Sequence, residues 1–181
     1  MWPATRLTHK DRMAWLVLGA LLGGGSSSKL YRSLREEAGL AYSVYAQSLQ
    51  FTQTGIFQVY LATDRKNFRK SLSLAFEICR RAKSEITISD LKFVKRMLIG
   101  GTLLSLEGVA SRMEQWGRHM ILLSRPYGLP ETLRDIRKVS LTQLRRLARG
   151  LQAKPCLYAL GPVHNKELAS ALKLFQGKIR S

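Results

Sequence analysis

LGGGSSSKLYRSLREEAGLAYSVYA, residues 22–46, passes through three kinds of chain in quick succession. Leu22 closes an apolar run, and Gly23, Gly24 and Gly25 stop it, since glycine takes backbone angles that other residues do not. Ser28 is placed to cap a short helix, LYRSLREEAG, that ends at Gly39. From Leu40 the pattern turns aromatic and β-branched in AYSVYAQS, the composition of a strand.

Upstream, the spacing predicts an amphipathic helix from about Lys10 to Leu22, opening at Thr8 with Asp11 as the acid of a capping box. Arg6, Lys10 and Arg12 ahead of MAWLVLGALLGGG also imitate a signal peptide. The apolar run is too short to span a membrane, and the helix is the preferred reading. Downstream, GIFQVYLAT alternates Phe57, Val59 and Leu61 with Gln58 and Tyr60, and so makes a hairpin with AYSVYAQS.

The remainder is mostly helical. One helix runs from Asp64 through Cys79, with Phe68, Leu72, Ala75, Phe76 and Cys79 on one face. A second begins at Ser89, with Leu91, Val94 and Leu98 inward, and Gly100 and Gly101 interrupt it. Val109, Met113, Trp116, Met120 and Leu123 step by four and three along a strong amphipathic helix. After the RPYGLP break come a short helix from Pro130 and another capped by Ser140 and Gln143. KPCLYALG, residues 154–161, reads as a last strand. A closing helix places Leu168, Leu172 and Phe175 inward. The order implies an α+β fold: one domain over 1–181, an antiparallel sheet with helices packed on one face.

Thirty Lys and Arg against twelve Asp and Glu give a net charge of +18, which favours acidic partners: nucleic acid, anionic membrane or an acidic protein surface. The basic residues recur at helical spacing with no run of five, so solvated helix faces account for most of them. Cys79 and Cys156 lie in apolar runs and read as buried hydrophobes rather than as a disulfide or a metal site.

His9, His119 and His164 share no short spacing, so no zinc-binding helix of the two-histidine type is present. HNKEL, residues 164–168, approaches His-x-x-Glu-His, but Leu168 cannot bind zinc. Ser26–Ser28 lack a nucleophile elbow, and GGGSSSK lacks the phosphate-loop spacing. Tyr45, Phe57 and Tyr60 offer rings for base stacking, but no nucleic-acid signature accompanies them, and such a partner is disfavoured. Arg35 and Tyr42 remain. The Gly39 turn brings together a guanidinium and a phenol, both able to donate to a peptide carbonyl or a developing oxyanion. A surface arginine and a core tyrosine are the plainer alternative.

Residues 22–46 closely resemble the pitrilysin/insulinase-type zinc metallopeptidases, the superfamily of mitochondrial processing peptidase. That signature runs close to LGGG-x-SS-x-L-[FY]-x-x-[LI]-RE-x-x-GLAY-x-V. LLSLEGVASRMEQWGRHMILLSRP and VSLTQLRRLAR with PCLYALGPV resemble two further stretches of the family, so the likeness covers about residues 8 to 163. The matched region is the second, non-zinc domain of a family half. The resemblance implies that zinc sits in another domain or subunit, on His-x-x-Glu-His and a distal Glu, and that this chain is inactive alone. It implies that Arg35 and Tyr42 act across a closed chamber, holding the substrate backbone and stabilising the tetrahedral intermediate. Gly23, Gly24, Gly25, Ser27 and Ser28 would form a loop near the chamber interior.

The expected function is therefore that of the substrate-binding, non-zinc domain or subunit of a zinc-dependent endopeptidase. Its partners would be the homologous motif-carrying half and a peptide or unfolded polypeptide. The alternatives are an inert interaction module of the same fold or a truncated gene remnant. The family domain usually opens with a strand before its first helix, and the early helix here predicts that this strand is missing. The family does not explain the +18 charge, which would suit an acidic partner half. Cytoplasm is the expected compartment, with a periplasmic or organellar parent as the alternative.

Overall fold

The computed structural model describes residues 1–176, without the side chains at 165, 172 and 174–176. A three-stranded antiparallel sheet has the order β1 (Trp2–Ala4), β3 (Gly55–Ala62), β2 (Ser43–Gln50). The expected hairpin forms, with Val44 opposite Leu61 and Ala46 opposite Val59. Alternation puts Val44, Ala46 and Phe57 on the buried face, and Tyr45 and Tyr60 on the other, where their rings stack at 4.8 Å.

The first strand is present, contrary to the sequence reading. Trp2 pairs with Phe57, and its indole N–H donates to the Ala153 carbonyl at 2.9 Å. Three residues, one of them Pro3, show no alternation that could announce a strand. The last strand expected at 154–161 does not form. Cys156 exchanges two backbone hydrogen bonds with Met1, both 2.9 Å, and the ladder goes no further. Pro3 has no N–H to give, so the short β1 edge cannot template more. Cys156 is consequently exposed, whereas Cys79 is buried as read.

Helix α1 (Arg12–Gly23) lies against β2 as the centre of the core, with Ala14, Val17, Leu18 and Leu22 sealed from water. Two glycines permit this contact. A Cβ on Gly23 would stand 2.1 Å from the Ala46 nitrogen, and one on Gly19 would stand 3.2 Å from the Gln47 Cα. Helix and strand therefore meet backbone to backbone.

The capping box at Thr8 is absent. Asp11 is itself the N-cap residue, but its carboxylate makes no cap bond. It is buried and accepts from Arg146 at 2.8 Å and from Gln143 at 2.7 Å. Those charge-assisted bonds outcompete a local cap. Burial opposes ionisation of Asp11, but these donors win and hold its pKa below the ordinary carboxylate range.

Beyond the hairpin, a 3₁₀ turn (Arg65–Asn67) leads into α3 (Phe68–Glu85), whose Ala75, Cys79 and Ala82 are buried. Helix α4 (Ile88–Ser105) starts on a capping box of Thr87 and Asp90. It runs through Gly100 and Gly101 without interruption, because nothing lies near either glycine and the helical bonds persist. Helices α6 (Leu129–Lys138) and α7 (Leu141–Gly150) close the core, and α7 carries the expected Ser140–Gln143 box.

Tyr127, in the loop before α6, is buried under the Arg12 guanidinium, 4.0 Å above its ring. Burial, then its hydrogen bond to Asp135, raises the Tyr127 phenol to about 12. Helix α5 (Val109–Leu123) forms as expected, but its apolar stripe faces solvent, and none of its residues is buried. Helix α8 (Asn165–Gln176) ends the described chain; Leu168 is half-buried, and the side chains of Leu172 and Phe175 lie outside the described set.

Candidate functional site

The chain between α1 and β2 builds the site. Helix α1 closes with the Gly24 N–H on the Ala20 carbonyl at 2.9 Å. Gly25 then takes φ +139°, a region closed to most side chains. The Ser28 hydroxyl and N–H both donate to the Gly25 carbonyl, at 2.6 and 3.0 Å, and pin the turn. Of the loop residues read as chamber-facing, Gly24, Gly25 and Ser27 are exposed, whereas Ser28 is buried and Gly23 presses on β2. The cleft between this loop and α4 holds about 40 Å³, room for little beyond water.

The expected short helix has two parts. Lys29–Tyr31 is α-helical (α2), and Arg32–Glu37 widens into a π-helical turn, a form frequent at functional sites. The Ala38 N–H reaches back to the Ser33 carbonyl at 3.2 Å. Gly39 takes φ +59°, and the reversal lets the buried Leu34 carbonyl accept from both Leu40 and Ala41, at 2.8 and 3.2 Å. Arg35 directly follows Leu34, and Tyr42 directly follows Ala41. The loop thus sets the two residues at its two stems.

Both side chains are open to solvent, Tyr42 at 64%. The Arg35 guanidinium lies over the Tyr31 ring, 5.1 Å from its centre, a cation–π contact one turn back along the helix. The Tyr42 N–H donates to the Ala62 carbonyl at 2.9 Å and fixes the start of β2. The neighbouring Asp64 carboxylate raises the pKa of its phenol. At neutral pH the pair offers a fixed cation and a protonated phenol, donors suited to a peptide carbonyl.

Two supporting residues escaped the sequence reading. Tyr31 was legible, because it stands four residues before Arg35. Asp64 was read as a helix opener, and only the hairpin register, with Ser43 opposite Ala62, brings it to Tyr42.

Among the described residues, no three His, Cys, Asp or Glu side chains gather where they could hold a metal ion. In HNKEL, the Glu167 carboxylate accepts from the His164 N–H at 2.9 Å and serves as a helix cap. His119 is half-buried; its Nδ1–H donates to the Tyr127 carbonyl, and burial lowers its pKa. Of the three rings weighed for base stacking, Phe57 is sealed in the core. No helix among the described residues is long and apolar enough to cross a membrane.

Comparison with known proteins adds to this geometry. The profile of the peptidase M16 inactive domain matches residues 1–98. An uncharacterised zinc protease of Mycobacterium tuberculosis is 34% identical over 146 residues, covering 80% of this chain and 33% of that protein. The mitochondrial-processing peptidase subunit beta of mouse is 26% identical over 166 residues, covering 86% and 34%. The crystal structure of a peptidase M16 inactive domain from Pseudomonas fluorescens superposes with a TM-score of 0.72 at 22% identity, covering 81% and 35%. The chain spans about a third of the length of the curated relatives it matches.

Proposed function

Because the chain belongs to the M16 peptidase family, as a domain of the inactive type, we propose that it is the substrate-binding half of a zinc-dependent endopeptidase. The observation that supports this is the Leu34-centred loop, whose two stems carry Arg35 and Tyr42 as solvent-facing donors. In this reading a homologous domain or subunit holds zinc, which supplies the activated water for peptide hydrolysis. The residues of this chain bind and orient. Arg35 holds a substrate carbonyl from a position fixed by Tyr31. Tyr42 donates its hydroxyl to the carbonyl oxygen at which negative charge grows. Asp64 favours the protonated phenol. The 22–28 loop borders the chamber, the whole chain acts as one domain, and the cytoplasm is the compartment we assign.

A second reading, an inert interaction module, draws on the nearness of Asp64 to Tyr42, since the carboxylate competes for the donor that catalysis would need. One experiment separates the two. The chain is mixed with its zinc-bearing partner and peptide cleavage is followed. Tyr42→Phe should lower kcat about a hundredfold, the scale of losing one oxyanion donor, and Arg35→Ala should raise KM. Full activity in both variants favours the module. Zinc-dependent cleavage by the pure chain alone overturns the proposal.

A further inference from the structure

Helix α5 has the apolar periodicity of a core helix without the burial. Val109, Met113, Trp116 and Met120 follow one face at steps of four, three and four, and all are exposed, Val109 at 83% and Trp116 at 51%. Leu103 and Leu104, at the end of α4, are exposed as well. Scattered apolar side chains on a surface are ordinary, but a strip along consecutive helices marks an interaction surface.

The strip is anchored. The Arg112 Nε–H donates to the Leu106 carbonyl at 2.6 Å, and His119 bonds the Tyr127 carbonyl at 2.5 Å. Helix α5 is thus tied to the body by its polar side chains with its apolar face outward. Beside it, Trp116, Pro126, Leu129 and Pro130 wall a groove of about 340 Å³ that Arg112 and Glu131 also line. An aromatic beside an apolar slot with charged neighbours is the usual make-up of an interface hot spot.

Charge narrows the occupant. A second copy of this chain would bring +18 against +18. Beside the strip, Arg112, Arg118 and Arg125 stand with Glu107, Glu114 and Glu131, so the positive excess belongs to the chain as a whole. That excess repels its own kind and complements an acidic partner. Size points the same way: this chain matches only about a third of its relatives' length, so in them a polypeptide about twice its size accompanies the matched domain.

We propose that the α5 strip and the Trp116 groove are the docking surface for the zinc-bearing homologous half, which meets them with an apolar ridge flanked by Asp and Glu. The inference rests on the functional reading above, which requires such a half.

The test uses the full chain, tagged and produced in its own cells, with a photo-crosslinking phenylalanine at position 116 or, as control, at Lys83, exposed on α3. The expected product at 116, absent at 83, is a protein that carries His-x-x-Glu-His. Trp116→Glu should reduce tag-based recovery of that protein at least about tenfold, the scale of a hot-spot loss, whereas Trp116→Phe should preserve it. Met113→Glu, at a site 72% exposed, repeats the test if Trp116→Glu misfolds. Recovery of the same protein without crosslinking at 116, and unaffected by either Glu variant, overturns the docking surface and leaves the functional reading standing. Crosslinking only to a second copy, or only to lipid, overturns the docking surface through a different occupant. Failure to recover any such protein by either route overturns both.

Discussion

Helices α1 and α5 look alike as sequence and occupy opposite situations in the fold. Both carry an apolar stripe at helical spacing. Helix α1 is clasped by the sheet on one side and by α4 and α7 on others, so Leu18 and Leu22 see no water. Helix α5 is tied down at its edges and exposes Met113 and Met120. Periodicity reports which residues favour burial. Whether burial happens depends on whether another surface arrives, and for α5 none does within the described residues.

The two helices should therefore answer mutation differently. Gly23→Ala strikes the tightest point, where a Cβ would meet the Ala46 nitrogen at 2.1 Å. It should cost about 3 kcal/mol, the upper range for overpacking, read as a lowered denaturation midpoint; a wild-type midpoint would mean that helix and sheet are not in backbone contact.

Asp11→Asn should cost about 2 kcal/mol, since hydrogen bonds to a charged group are the stronger kind. The sign with pH is fixed. The folded carboxyl titrates below its unfolded value, so its contribution is complete above the unfolded pKa of about 4 and vanishes as pH falls through the folded pKa. The variant should show a flatter loss of stability on acidification, and equal slopes for both proteins would deny the Asp11 contribution.

Gly100→Ala reverses the direction. Nothing stands near that position in α4, and the change should stabilise by up to about 1 kcal/mol. Destabilisation there would point to a neighbour across α4 or to a break in the helix. The smallest effect belongs to α5. Met113→Ala should shift isolated-chain stability by less than about 0.5 kcal/mol, as exposed sites do. A loss of 2 kcal/mol in thermal or urea melts would show that α5 is covered in solution.

Much of this was legible in the residues. The hairpin, the Ser140 box and the helix order follow from period and capping, and Gly39 announced the reversal between Arg35 and Tyr42. What was missed shares a cause: a partner distant along the chain. Asp11 looked like a local cap because Arg146 and Gln143 lie beyond any window of local pattern. Strand β1 is too short to alternate, and only its pairing with β3 defines it. Asp64 reaches Tyr42 through strand register. Gly23 and Gly100 are indistinguishable as letters, and only their surroundings separate a required glycine from a dispensable one.

The Asp11–Arg146 bond joins residues 135 positions apart, and that separation is also a delay. A ribosome adding roughly 5–20 residues per second needs on the order of ten seconds to deliver the arginine after the aspartate. During that interval α1, an apolar helix, can pack on β2 but lacks the α7 side of its enclosure. Whatever shelters it from its neighbours on the polysome over those seconds determines how much of this protein reaches its folded state.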